Sequence, residues 1–170
     1  LHISEIGCVV ATDHRLFVLP EIAVVARDAA IADQIEELIE NGATLKLAIG
    51  AIPNIVAQLL AEGKKGNFGI LTEMLADGIM RLHRAGKVTN HNAVYDGFSV
   101  CTLAAGSREL YEGIDRKPKV RMFPVMQVND PAVIRRNRTM MSINGALAVD
   151  LAGPGDGPRD RSATVLRRRR

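Results

Sequence analysis

The sequence predicts an α/β fold: a mostly parallel sheet with helices on both faces. Three observations carry that reading. Short apolar or β-branched runs alternate with stretches of helical period, and Gly, Pro or a capping residue marks each change. A chain of 170 residues with 47% hydrophobic content is also long enough for one domain with a real core. In such sheets ligands gather beyond the carboxyl ends of the strands, so residues just after a strand are the first candidates for chemistry.

The segment LHISEIGCVV and its continuation to about residue 26 read as extended chain and loop, and Pro20 interrupts any helix there. In DAAIADQIEELIENG, Ile31, Ile35, Leu38 and Ile39 recur at helical spacing; Asp28 is placed to cap the start and Gly42 the end. The run ATLKLAI predicts a strand that meets the turn GAIP, with Pro53 as the first residue of a second helix through Leu60. The alternation repeats with a strand at NFGILT, a helix over about 75–85, a strand at FSVCTLA and a short helix over 107–114. VRMFPV follows, then a helix opened by NDPAVIRRN with Asp130 as cap and Pro131 in its first turn, then a strand near MSINGALAVDL.

Composition narrows the function classes. Aromatic residues make up 4% of the chain and Trp is absent, which leaves little from which to build a base-stacking surface. The net charge of +3 rests on the arginine run at 167–170, without which the balance is slightly negative. Cys8 and Cys101 have neither the number nor the spacing of a disulfide framework or a zinc site, so a reducing compartment is the simplest reading. No apolar run approaches membrane-spanning length. The expected partners therefore include neither nucleic acid nor membrane, and no metal-ligand cluster or phosphate-binding glycine loop is evident.

One residue stands out. In GILTEMLADG, Glu73 is flanked by Ile70, Leu71, Met74 and Leu75, just after a predicted strand. Either it opens an ordinary helix, where the dipole favours a carboxylate by about 0.3–1 kcal/mol, or it is held in a poorly solvated place for a chemical reason. The turn GAIP has the same two readings. Gly50 makes a tight turn and Pro53 starts a helix, or else backbone N–H groups there face a developing negative charge. Asn129 is part of a capped helix start or a side-chain donor. His83, between Arg81 and Arg84, reads as part of a solvated face, as do Arg135, Arg136 and Arg138; the methionines read as core filler.

Five blocks in order, IEELIENGATLKLAIGAIPNIVAQLL, GILTEMLADGIMRL, GSRELYEGID, VNDPAVIRRN and MSINGALAVDL, resemble the C-terminal half of the acetyl-CoA hydrolase/transferase family, nearest its 4-hydroxybutyrate and butyrate CoA-transferases. The resemblance covers about residues 28–153. It implies an acyl-CoA:carboxylate CoA-transferase with Glu73 as nucleophile, working through a glutamyl-CoA thioester. Coenzyme A enters as acyl-CoA substrate, with a short-chain carboxylate as acceptor and no metal. Asn129 and the backbone at Gly50, Ala51 and Ile52 would serve as donors and substrate contacts. A cytoplasmic homo-oligomer is implied for the full-length protein. Two departures stand in the motifs: Ala48 where the family commonly has glycine, expected to narrow the turn, and Leu71 where it often has histidine, expected to change the acyl pocket.

The resemblance also divides the chain. Residues 1–27 read as a lead-in from a further N-terminal domain, 28–153 as a catalytic domain incomplete at both ends, and 154–170 as a disordered tail. The family usually continues past residue 153 into a glycine-rich turn. Read one base out of frame, GC-rich codons for that turn spell arginine, and with the flanking match to GPGDG and VLRRRR the expectation is that 154–170 is a frameshifted translation rather than an evolved basic arm. The chain alone is accordingly expected to be inactive. Acetyl-CoA hydrolysis and a non-catalytic domain that pairs with another chain are the alternatives.

Overall fold

Helix α1 (Ala26–Leu38) begins with no side-chain cap; Asp28, expected to cap it, lies inside its first turn, where it faces the positive end of the dipole. The helix buries Ala32 and Ile35 with Ile39 just beyond, whereas Leu38 is exposed. Gly42, at φ +78°, then turns the chain into β1 (Thr44–Leu47), in the left-handed region that glycine enters without cost. Helix α2 (Ala51–Glu62) follows, so Pro53 is its third residue rather than its first; it is tolerated because first-turn N–H groups have no partner within the helix. The chain continues through β2 (Gly69–Ile70), β3 (Met74–Leu75) and α3 (Asp77–Arg84). The predicted strand FSVCTLA divides into β4 (Ser99–Cys101) and β5 (Leu103–Ala104), and α4 (Arg108–Ile114) is capped by the Ser107 side chain, which accepts from Leu110 N–H. Then come β6 (Val120–Met122), α5 (Val125–Val128) and α6 (Pro131–Arg136); Asp130 caps α6 as expected. Strands β7 (Met140–Ala146), β8 (Val149–Asp150), β9 (Gly153–Pro154) and β10 (Ser162–Arg167) close the order.

The structure, a computed structural model, describes residues 4, 6–20, 23–91, 94–137, 139–146, 149–150, 153–154 and 162–167. Among these, β10, β7, β1 and β2 form a sheet in that order, with β1 parallel to both β2 and β7. A parallel bridge between Leu71 and Val100 continues it toward the parallel pair β4 and β6. Period-two alternation sends successive side chains to opposite faces. Leu45, Leu47, Ile70, Met141 and Ile143 join the main core with residues of α1–α4, while Leu71, Val100 and Met140 pack with Val128 of α5 and Val133 and Ile134 of α6. The sheet is thus mostly parallel and covered on both faces, as the alternating sequence predicts.

Two tight joints hold the helices of the main face. Gly78 brings α3 against α2, where a Cβ would stand 2.8 Å from the Ala57 Cβ. The Asp77 carboxylate accepts from Ser107 N–H at 3.0 Å and from the Ser107 hydroxyl at 2.6 Å, tying the start of α3 to that of α4. The lead-in crosses this region as exposed chain, fixed where Leu19 N–H donates to the Gly106 carbonyl and the Tyr111 hydroxyl to that of Phe17. No helix among the described residues is long and apolar enough to cross a membrane.

The expectation that 154–170 is disordered does not hold for Ser162–Arg167, which pair antiparallel with β7. Thr, Val and Leu there suit a pleated edge. Residues 155–161 and 168–170, which include most of GPGDG and the last three arginines, lie outside the described residues.

Candidate active site

Glu73 belongs to no helix. It occupies a bend between β2 and β3, at the carboxyl edge of the sheet, and its neighbours hold it by the backbone. Thr72 N–H donates to the Val100 carbonyl at 3.0 Å; its buried hydroxyl donates to the Leu47 carbonyl at 3.0 Å, with that of Met74 at 3.2 Å. The Glu73 carbonyl accepts from Thr102 and Leu103 N–H at 2.8 and 3.1 Å. The first-turn reading is therefore excluded, and the expected dry surroundings are not present either: the Glu73 side chain is exposed.

Asn129 follows the last residue of α5, immediately before the Asp130–Pro131 start of α6. Its Nδ2 donates to Glu73 Oε2 at 2.6 Å. The other end of the amide meets Lys46, whose Nζ donates to Asn129 Oδ1 at 2.5 Å. In TLKL, Leu45 and Leu47 enter the main core, so alternation sends Lys46 to the face covered by α5 and α6. Half-burial lowers the Lys46 ammonium below its ordinary value of 10.5, and the negative charge of Glu73 pulls in the opposite direction. Sequence reading missed Lys46. The available signal was a charge in the middle of a central strand.

A cavity of about 200 Å³ opens beside these groups, lined by Lys46, Ala48, Ile49, Thr72, Glu73 and Asn144 among others. Ala48 thus faces the site. Leu71 does not line this cavity: it is buried against Val100 and Val128. Gly50 adopts φ 140°, ψ 172°, a conformation that L side chains rarely reach, and swings the chain from β1 into α2. Ala51 and Ile52 then present first-turn N–H groups, and no side chain caps them. No described hydrogen bond joins Gly50, Ala51 or Ile52 to Glu73. Gly50 lines a larger cavity of about 460 Å³ between the lead-in, α2, α3 and the start of α4, and Ile49 borders both cavities. The structure thus brings Glu73 and Asn129 together and sets the Gly50 turn alongside.

His83 departs from its expected solvated setting. Its Nε2 lies 2.9 Å from Ser99 Oγ, which donates to Asn90 Oδ1. Burial, with Lys117 and Lys119 nearby, lowers its pKa to about 4. Burial raises the Cys101 thiol to about 11, so it is a packed neutral group. Arg135 and Arg136 are exposed on α6, and Arg138 lies outside the described residues.

The candidate site thus consists of a carboxylate on the carboxyl edge of the sheet, a side-chain amide aimed at it and, nearby, a glycine turn before a helix N-terminus. Residues 106–155 match the family model described as the acetyl-CoA hydrolase/transferase C-terminal domain. The chain is 40% identical over 154 residues to 4-hydroxybutyrate coenzyme A transferase of Clostridium kluyveri, a span that covers 90% of this chain and 35% of that protein. It is 33% identical to butyryl-CoA:acetate CoA-transferase of Anaerostipes caccae, with the same coverage. Among solved structures, RipA from Yersinia pestis superposes with a TM-score of 0.83 at 36% identity, covering 90% of this chain and 35% of that one. The chain therefore spans about a third of the length of the relatives it matches. Over that span, it belongs to the acetyl-CoA hydrolase/transferase family.

Proposed function

We propose that the chain carries the nucleophile of an acyl-CoA:carboxylate CoA-transferase of the 4-hydroxybutyrate or butyrate type. The observation that carries this reading is the 2.6 Å hydrogen bond from the Asn129 amide to the Glu73 carboxylate, at the carboxyl edge of a parallel sheet. The names of the relatives support the substrate class.

In this reading a Glu73 oxygen attacks the thioester carbonyl of acyl-CoA and the CoA thiolate leaves, giving a mixed anhydride. The thiolate then attacks the glutamyl carbonyl and expels the donor carboxylate, leaving a glutamyl-CoA thioester. An acceptor carboxylate attacks that thioester and frees the thiolate, which takes the new acyl group and returns Glu73 to its carboxylate. Each addition places negative charge on a former carbonyl oxygen. Asn129 Nδ2, which donates to Glu73 Oε2, is the candidate donor to such an oxygen on the glutamyl carbon, and the uncapped N–H groups of Ala51 and Ile52 are the candidates for others.

The exposure of Glu73 favours a second reading, hydrolysis, in which water takes the place of the acceptor. It also carries the expectation that the 170-residue chain alone transfers no CoA, since loss of one oxyanion donor costs about 10²–10³ in rate and poor positioning costs more. A cytoplasmic setting and a homo-oligomeric state remain part of the proposal on the resemblance alone. The test is to assay the chain, and a full-length form continued as its relatives are, with acetyl-CoA, butyryl-CoA and 4-hydroxybutyrate, following acyl-CoA exchange and free thiol separately. Exchange without thiol release in the longer form supports transfer; thiol release alone supports hydrolysis; neither activity in the longer form overturns the reading.

A further inference from the structure

An asparagine side chain offers a donor and an acceptor of nearly the same shape, and its neighbours decide which way round it sits. At Asn129 the neighbours leave one choice. An ammonium has only donors and a carboxylate only acceptors, so with Lys46 Nζ at one end and Glu73 Oε2 at the other, Oδ1 faces the lysine and Nδ2 the glutamate.

Lys46 is an unusual group to find there. It rises from β1, which is paired on both sides, and its described partner is a neutral amide rather than a carboxylate. Among the described residues, no ion pair joins it directly to Glu73. Taking an ammonium partly out of water for a bond to a neutral group adds little to stability, and an apolar residue of similar length would serve the fold as well. The groups around it are mostly neutral. Ser142, its register partner on β7, is bonded to Asn144, and from the α5–α6 side the Asp130 carboxylate is taken up by Ala132 N–H. Glu73 is the charge that acts on it.

Resting on the reading of Glu73 as the reacting carboxylate, we propose that Lys46 is a positioning residue that locks the Asn129 amide with Nδ2–H aimed at Glu73. The lock matters most when Glu73 no longer holds a carboxylate. Once its carbonyl is bound to CoA, the attraction that Glu73 itself exerts on the amide weakens. Lys46 then keeps a donor, rather than the Oδ1 lone pairs, pointed at the oxygen on which charge next develops.

Carbon-detected NMR of the 170-residue chain reads this directly, through the side-chain carbons of Lys46, Asn129 and Glu73 during an alkaline titration. The Asn129 carboxamide carbon is expected to move in step with the Lys46 side chain, with a midpoint below that of an ordinary lysine. Lys46→Gln, which donates the same bond without a titrating charge, should keep the neutral-pH position of the Asn129 signal and lose the alkaline step. Lys46→Met should displace that signal while the backbone amide pattern elsewhere stays in place. In a full-length form, kcat of Lys46→Met should fall by about 10²-fold, the scale of a lost oxyanion donor, with KM little changed and Lys46→Gln recovering most of the loss. An Asn129 signal blind to Lys46 titration, or unaltered in Lys46→Met, overturns the positioning role, as does wild-type kcat in Lys46→Met. These results leave the Glu73 reading untouched, whereas absence of a CoA adduct on Glu73 with the Lys46–Asn129 coupling intact removes the Glu73 reading alone.

Discussion

The two faces of the sheet are built differently. On the face of α1–α4 a continuous core runs from Ala32 through Leu45, Leu60, Phe68 and Leu82 to Ile143, with helices brought close at Gly78 and tied at Asp77–Ser107. On the face of α5 and α6 the buried members of the cluster are Leu71, Val100 and Val128; the adjoining strand positions are given to the polar Lys46 and Ser142, and the amide of Asn129 reaches in from the end of α5. One face holds the main core and the other holds the candidate site. A carboxylate, an amide and an ammonium can meet at the sheet edge because the apolar packing that stabilises the domain lies behind them.

The sharpest break in this comparison is at Glu73. In a full-length form, Glu73→Ala should abolish transfer and Glu73→Asp nearly so, since retracting the carboxylate by about one bond length removes it from attack distance. Neither should change thermal stability appreciably, because the side chain is exposed and the bend is held by backbone and by Thr72. An active Glu73→Ala enzyme would remove the mechanism.

Stability should respond in the opposite sense. Leu60→Ala, in the main core, should cost about 2–5 kcal/mol, and Val128→Ala, on the thin face, nearer 1.6 kcal/mol at about 0.8 per buried methylene. Urea denaturation of the two variants measures the difference directly, and equal costs would mean that the faces contribute alike. At Gly78, an added methyl meets the Ala57 Cβ at 2.8 Å. Alanine gains about 1 kcal/mol of helix propensity there, and overpacking costs about 1–3 kcal/mol, so Gly78→Ala should be destabilising by about 1 kcal/mol, visible as a lower Tm.

The smallest expected effect is a pH dependence. His83 has a folded pKa of about 4 against an ordinary 6.5, because burial disfavours its charged form. The unfolded chain therefore takes up the proton first as pH falls. Stability contributed by the neutral histidine is present above about pH 6.5 and is lost as pH falls toward about 4. Denaturation curves for wild type and His83→Gln across that window should converge as pH falls; parallel curves would mean that His83 does not titrate with unfolding.

Much of this was legible in the sequence where the cause is local. The helical period of α1, the Asp130–Pro131 start of α6 and the strand–helix alternation all arise from neighbours a few residues apart, and they fell where the pattern put them. Caps were less readable, because Asp28 fits the start of α1 by type while the first turn is closed by the Val25 carbonyl instead. The tail is hard to read for a related reason: Ser162–Arg167 is a short β-forming run diluted by the Gly, Pro and Arg around it. The site was half legible. Glu73 and Asn129 came from family motifs, but Lys46 meets Asn129 across 83 positions of sequence, and the folded sheet is what brings them together.

The central claim is that Glu73 becomes covalently joined to CoA. The direct measurement is mass spectrometry of a full-length form incubated with acyl-CoA and no acceptor, followed by mapping of the modified peptide. The account predicts CoA attached through a thioester to the peptide containing Glu73, lost on addition of a carboxylate acceptor and absent from Glu73→Gln. Rapid CoA transfer with no adduct on that peptide, or an adduct that persists in Glu73→Gln, would contradict it.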